Sequence, residues 1–144
     1  MFKLHPYDWI HPLERRDIPT PKLPSGKIDF EADRAQQLEF LIMDLNGGGQ
    51  HASHMAAITI GDMEEYAVPA IPYLIRALGN LGNLGLRRES AQALGKIGSK
   101  AKAAIPKLTE IYRDEKEDTR LRENALWAIG RIEKNDWQRI KRGY

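Results

Sequence analysis

The 144-residue sequence predicts an all-α fold, a short right-handed α-solenoid of about three helix pairs behind an extended, proline-rich N-terminal arm. Three observations lead to this expectation. From residue 30 to about residue 133, apolar residues recur at helical spacing, and no segment sustains the period-two alternation of a strand. The chain repeats itself at an interval of 34–35 residues. Five of its eight prolines fall within the first 29 residues, where they rule out a continuous helix.

Residues 1–29 form the expected arm. Besides Pro6, Pro12, Pro19, Pro21 and Pro24 it holds Phe2, Leu4, Tyr7, Trp9, Ile10, Leu13 and Ile18, more large apolar groups than a linker spends. The arm is therefore expected to pack, either on its own body or on a partner. The repeat domain is expected over 30–134. Its first helix opens after Asp29 with Phe30, Ala35, Leu38, Leu41, Ile42 and Leu45 on one stripe, and Asn46-Gly47-Gly48-Gly49 is expected to stop it. Further helices are expected at about 51–63, 68–79, 86–98, 101–114 and 119–133. The stretch Gly79-Asn80-Leu81-Gly82-Asn83-Leu84-Gly85 reads as a non-helical connector. Residues 135–144 form a basic, aromatic tail.

The repeat is the strongest signal. Ala70-Ile71-Pro72-Tyr73-Leu74 returns 34 residues later as Ala104-Ile105-Pro106-Lys107-Leu108. The stretch Leu86-Arg87 through Gly95-Lys96-Ile97 returns 35 residues later as Leu121-Arg122 through Gly130-Arg131-Ile132. Ala57, Ile60, Gly61 and Ala67 precede Ala91, Leu94, Gly95 and Ala101 by 34. Alanine and glycine within these helices permit close approach, and Pro72 and Pro106 suit a first helical turn, where the missing N–H is no loss. A single pair leaves one face bare, which stacking covers.

At these residues the chain resembles the HEAT repeat, in the short bacterial form first associated with phycobilisome lyases. The resemblance rests on Ile-Pro-x-Leu in the first helix and on an arginine before Ala-Leu-Gly-x-Ile-type sequence in the second. It is specific over about 67–132 and extends more loosely back to about 30. It implies structural roles for Pro72, Gly95, Pro106 and Gly130, and pairing of Arg87 and Arg122 with acidic residues in a neighbouring turn. The first unit departs from the pattern at Ser53, Thr59 and Glu64, and the third at Glu133, as capping units do.

A net charge of +2 conceals strong segregation: residues 1–29 carry +1, residues 30–85 carry −5, and residues 86–144 carry +6. The chain has no cysteine, which excludes disulfides, thiolate metal sites and a cysteine nucleophile. It also lacks an apolar run of membrane-spanning length and a signal-peptide core, so a cytoplasmic protein is expected.

Convergent chemistry is sparse. His51 and His54, three apart near a helix start, are weak candidates for a metal site with Asp62 or Glu65; surface histidines are the expected reading. Glu64-Glu65 and the run Asp114 to Asp118 read as solvated turns. No serine sits in a nucleophile elbow, and Gly47-Gly48-Gly49 lacks the sequel of a phosphate loop. Trp127, among small neighbours, is expected to pack in the core. Arg87, Arg88, Lys96, Lys100, Lys102 and Lys107 form the basic cluster that a nucleic-acid reading would use, against repulsion from the acidic middle.

The leading expectation is a non-catalytic protein-interaction module, an accessory or structural subunit of a larger assembly. Its expected contacts are Tyr7, Trp9, Trp137, Arg139 and Tyr144, large anchors outside the periodic core. No cofactor, catalytic residue or small-molecule substrate is expected. The alternatives are a bilin lyase-, isomerase- or chaperone-type factor, implied by the resemblance alone, and nucleic-acid binding through the basic half.

Overall fold

A computed structural model of the chain describes residues 18–134. Six α-helices follow one another: α1 (Phe30–Gly47), α2 (Gly49–Asp62), α3 (Ile71–Ala77), α4 (Leu84–Ile97), α5 (Ile105–Arg113) and α6 (Thr119–Glu133). Among the described residues there is no strand, only an isolated antiparallel bridge between Lys22 and Ile28. Around it the chain closes on itself, with Asp29 N–H donating to Pro21 O at 3.0 Å and Gly26 turning at φ +87°.

The helices pair as α1–α2, α3–α4 and α5–α6, and the second helix of each pair stacks on the next, α4 lying between α2 and α6. The result is a short all-α solenoid. Large apolar side chains fill the space between the layers: Ile60, Leu74, Leu78, Leu86, Leu94, Leu108, Leu121, Ile129 and Ile132 have almost no exposure. Burying each such side chain contributes about 1.5–3 kcal/mol.

Local chemistry sets the helix ends and corrects three expectations. The Asn46–Gly49 run does stop α1, but the break is one residue long rather than four. Helix α1 continues through Gly47, and Gly48 alone separates it from α2. A Cβ on Gly48 would stand 2.7 Å from Asp44 O and 2.8 Å from Ala52 Cβ, so a turn this tight requires glycine. The 79–85 connector is shorter than its glycine content suggests. The Asn83 side chain accepts from Leu86 N–H at 3.1 Å, so α4 already begins at Leu84. Finally, the expected helices at 68–79 and 101–114 are each composite, a 3₁₀ segment (Glu64–Ala70 or Ser99–Ala104) leading into α3 or α5. Pro69, which has no N–H, lies in the first 3₁₀ segment, and Ala101 leaves helical geometry in the second. Pro72 and Pro106 fall in the first turns of α3 and α5, as expected.

Small residues set the spacing of the stack. A Cβ built on Gly61 would lie 3.0 Å from Ala93 Cα, and one on Gly95 would lie 3.0 Å from Ala128 Cα and 2.5 Å from Cζ3 of Trp127. Gly95→Ala is therefore expected to destabilise by about 1–3 kcal/mol despite alanine's better helix propensity. Gly47→Ala, with nothing within 4 Å of the new Cβ, should instead stabilise by roughly 0.5–1 kcal/mol. Urea unfolding of the two variants checks the opposite signs.

Helix α4 also buries Ser90 completely, and its hydroxyl has no hydrogen-bond partner among the described residues. Its repeat counterparts are Ala56 and Ala125. Leaving a buried hydroxyl unsatisfied costs about 1–3 kcal/mol, so Ser90→Ala should raise the thermal midpoint, measured by circular dichroism.

Candidate protein-interaction surface

The polar residues of the repeat are spent first on internal joints. Arg87 Nε donates to Leu78 O at 2.7 Å, and Arg122 Nε to Tyr112 O at 3.0 Å. Both carbonyls belong to the end of the first helix in the same unit. In the first unit, Ser53 Oγ donates to Asp44 O at 3.0 Å. Ser53 looked like a departure from the pattern, but it satisfies the equivalent carbonyl with a shorter side chain.

Arg87, 7% exposed, also sends its two terminal nitrogens to Glu117 in the turn of the third unit. Beside it Arg88 grips Asp118 with two bonds, Nε–Oδ2 at 2.9 Å and Nη2–Oδ1 at 2.7 Å. Asp118 is simultaneously the N-cap of α6, accepting from Leu121 N–H at 2.9 Å. The Arg88 guanidinium, helped by that backbone bond, lowers the Asp118 carboxyl to about 2. The expectation of solvated turns therefore fails for Glu117 and Asp118, which close the second joint. The first joint is differently made. Gln50 Nε2 donates to Gly82 O and Asn83 Nδ2 to Gln50 O, each at 3.1 Å, and Lys96 pairs with Asp62 at 2.9 Å.

Internal contacts occupy most of the residues that a nucleic-acid surface or a metal site would have used. Of the six clustered cations, Arg87, Arg88, Lys96 and Lys107 have acidic partners, the last being Glu110 at 3.6 Å. His54 does not converge with an exposed His51 on a carboxylate. It packs against α4 where a Cβ on Gly85 would meet its Nδ1 at 2.5 Å, which explains a glycine inside that helix. Asp62 is engaged by Lys96, and among the described residues no group of three His, Asp or Glu is placed to hold a metal ion. Trp127 is half-buried, its ring against Gly95 and the Arg131 guanidinium 5.8 Å from its centroid. Of the expected contact residues, Tyr7, Trp9, Trp137, Arg139 and Tyr144 lie outside the described residues.

Left over is a surface at the α1 end. Phe30 is 67% exposed and Tyr66 54% exposed, unusual for side chains of this size. Arg34, one turn beyond Phe30 on α1, lies over the Tyr66 ring at 4.3 Å. Next to them opens a cleft of about 360 Å³ lined by Arg34, Gln37, Asp62, Met63, Glu64, Glu65 and Tyr66. Glu64 holds a left-handed φ of +52° where the next unit has Gly98 at +85°. The sequence reading missed this surface because Phe30 fits the apolar stripe of α1 and Tyr66 follows an acidic pair. Only the packing shows both rings turned outward.

The family model for HEAT repeats matches residues 50–130. The chain belongs to the HEAT-repeat family. No curated protein and no solved structure matches it. The HEAT match starts in α2 and ends in α6, which leaves α1 outside. As a HEAT protein the chain falls among domains that generally serve protein interaction. Its described helices include none long and apolar enough to cross a membrane.

The Arg88–Asp118 fork makes the second joint sensitive to acid. The Asp118 carboxyl titrates at about 2 when folded, below its ordinary 3.8. It therefore stabilises the fold above pH 3.8, and that stabilisation is lost as the pH falls towards 2. Asp118→Asn keeps a capping oxygen but loses the charge. Its urea midpoint should lie below that of the parent chain at pH 7, with a gap that narrows below about pH 4 and closes near pH 2.

Proposed function

We propose that this HEAT protein is a non-catalytic protein-interaction module, a small accessory subunit of a larger cytoplasmic assembly. The observation that carries the reading is the exposed Phe30–Arg34–Tyr66 group beside an acidic cleft. Aromatic residues and arginine dominate the energetics of protein interfaces. Tyr7 and Trp9 in the arm, and Trp137, Arg139 and Tyr144 in the tail, supply further contacts of the same chemistry. The units are assigned to the short lyase-type HEAT repeat on their Ile-Pro-x-Leu and Ala-Leu-Gly-x-Ile sequences, and no bilin chemistry is transferred with that assignment. Nucleic-acid binding is disfavoured because four of the six clustered cations are already neutralised within the fold.

Affinity purification of the full chain from its native source tests the reading. A stoichiometric protein partner is expected. Phe30→Ala with Tyr66→Ala should weaken its retention at least tenfold without moving the thermal midpoint, because both side chains are exposed. A chain that elutes alone sinks the proposal.

A further inference from the structure

The second joint supplies a template for reading α6, the last of the described helices. Positions 87 and 88 of α4 both face the turn of the following unit, where Glu117 and Asp118 receive them. Their counterparts on α6, 35 residues on, are Arg122 and Glu123. Arg122 repeats half of the arrangement, with its Nε on the carbonyl of Tyr112 and its guanidinium 5.9 Å from the ring of the same tyrosine. The other half is missing. Among the described residues no carboxylate pairs with Arg122, which remains half-buried, and Glu123 is exposed.

We propose that Arg122 and Glu123 form a docking joint for a helix pair of a different protein, which continues the stack by presenting a carboxylate-bearing turn to Arg122. This deepens the protein-interaction reading above and rests on it. The charge of each position defines the partner's chemistry. A glutamate or aspartate just before the helix N-cap meets Arg122, as Glu117 meets Arg87. The cap itself is neutral or cationic, because an aspartate like Asp118 would face Glu123 and repel it. A second copy of this chain does not fit. Of the three turns within its helix pairs, those at 46–49 and 80–83 carry no charge, and the third has Glu117 and Asp118 engaged by the chain's own arginines.

Site-specific photocrosslinking in the native source tests this. The full chain is expressed with a benzophenone amino acid at position 123, and in a parallel chain at position 66, each replacing an exposed side chain. A position-123 adduct is expected whose partner peptide carries Asp or Glu at a helix start. Arg122→Gln should abolish that adduct and Arg122→Lys, which retains the cation, should preserve it. Position-66 adducts without position-123 adducts overturn this joint and leave the broader reading standing. Absence of both overturns the two together. A position-123 adduct that survives Arg122→Gln, or maps to a peptide with no acidic residue, also overturns the joint.

Discussion

The structure depends on how closely its second helices approach one another. Gly61 sits on Ala93 and Gly95 on Ala128 at separations that leave no room for a Cβ on either glycine. With backbones this near, Ile60, Leu94 and Ile129 on the second helices are completely buried. The first helices can then be short and begin irregularly. A 3₁₀ lead-in and a proline in the first turn suffice, because α3 and α5 are held by what lies behind them and need little intrinsic stability.

Tight stacking would leave carbonyls stranded at the ends of the first helices, and one device recurs to prevent it. Ser53, Arg87 and Arg122 each donate to such a carbonyl from an equivalent position in the second helix. The buried arginine does more than the serine, since its remaining nitrogens cross to the next unit and fix its angle through Glu117. Burying a guanidinium is tolerable because it has bonds at both ends, and removing either partner would leave an uncompensated charge. The interaction proposed above draws on what the joints do not use: the outward rings at the α1 end and an arginine on α6 that pairs with no carboxylate among the described residues.

Much of this was legible in the sequence. The 34–35-residue interval matches the helix pairs; Pro72 and Pro106 open α3 and α5, Gly95 lies at a close helix contact, and Arg87, whose role only the HEAT resemblance suggested, bonds Glu117. The errors came from reading composition where contacts decide. Glycines at 47 and 85 looked like helix breakers, yet Gly47 still belongs to α1 and Gly85 yields space to His54, and Gly48 alone makes the break. Glu117 and Asp118 looked like solvated charge because their arginines lie 30 residues away. Phe30 and Tyr66 were hidden by the opposite fault, since an apolar residue on a periodic stripe is ordinarily assigned to the core.

The chemistry of the two joints makes them respond differently to salt. The first relies on side-chain amides and a solvent-exposed Lys96–Asp62 pair, the second on arginine forks, one of them largely buried. Ionic strength screens the exposed Lys96–Asp62 pair more than the largely buried Arg87–Glu117 fork, and the side-chain amides of the first joint carry no charge to screen. The two links of the array are therefore dissimilar, the first more open to screening by salt than the second.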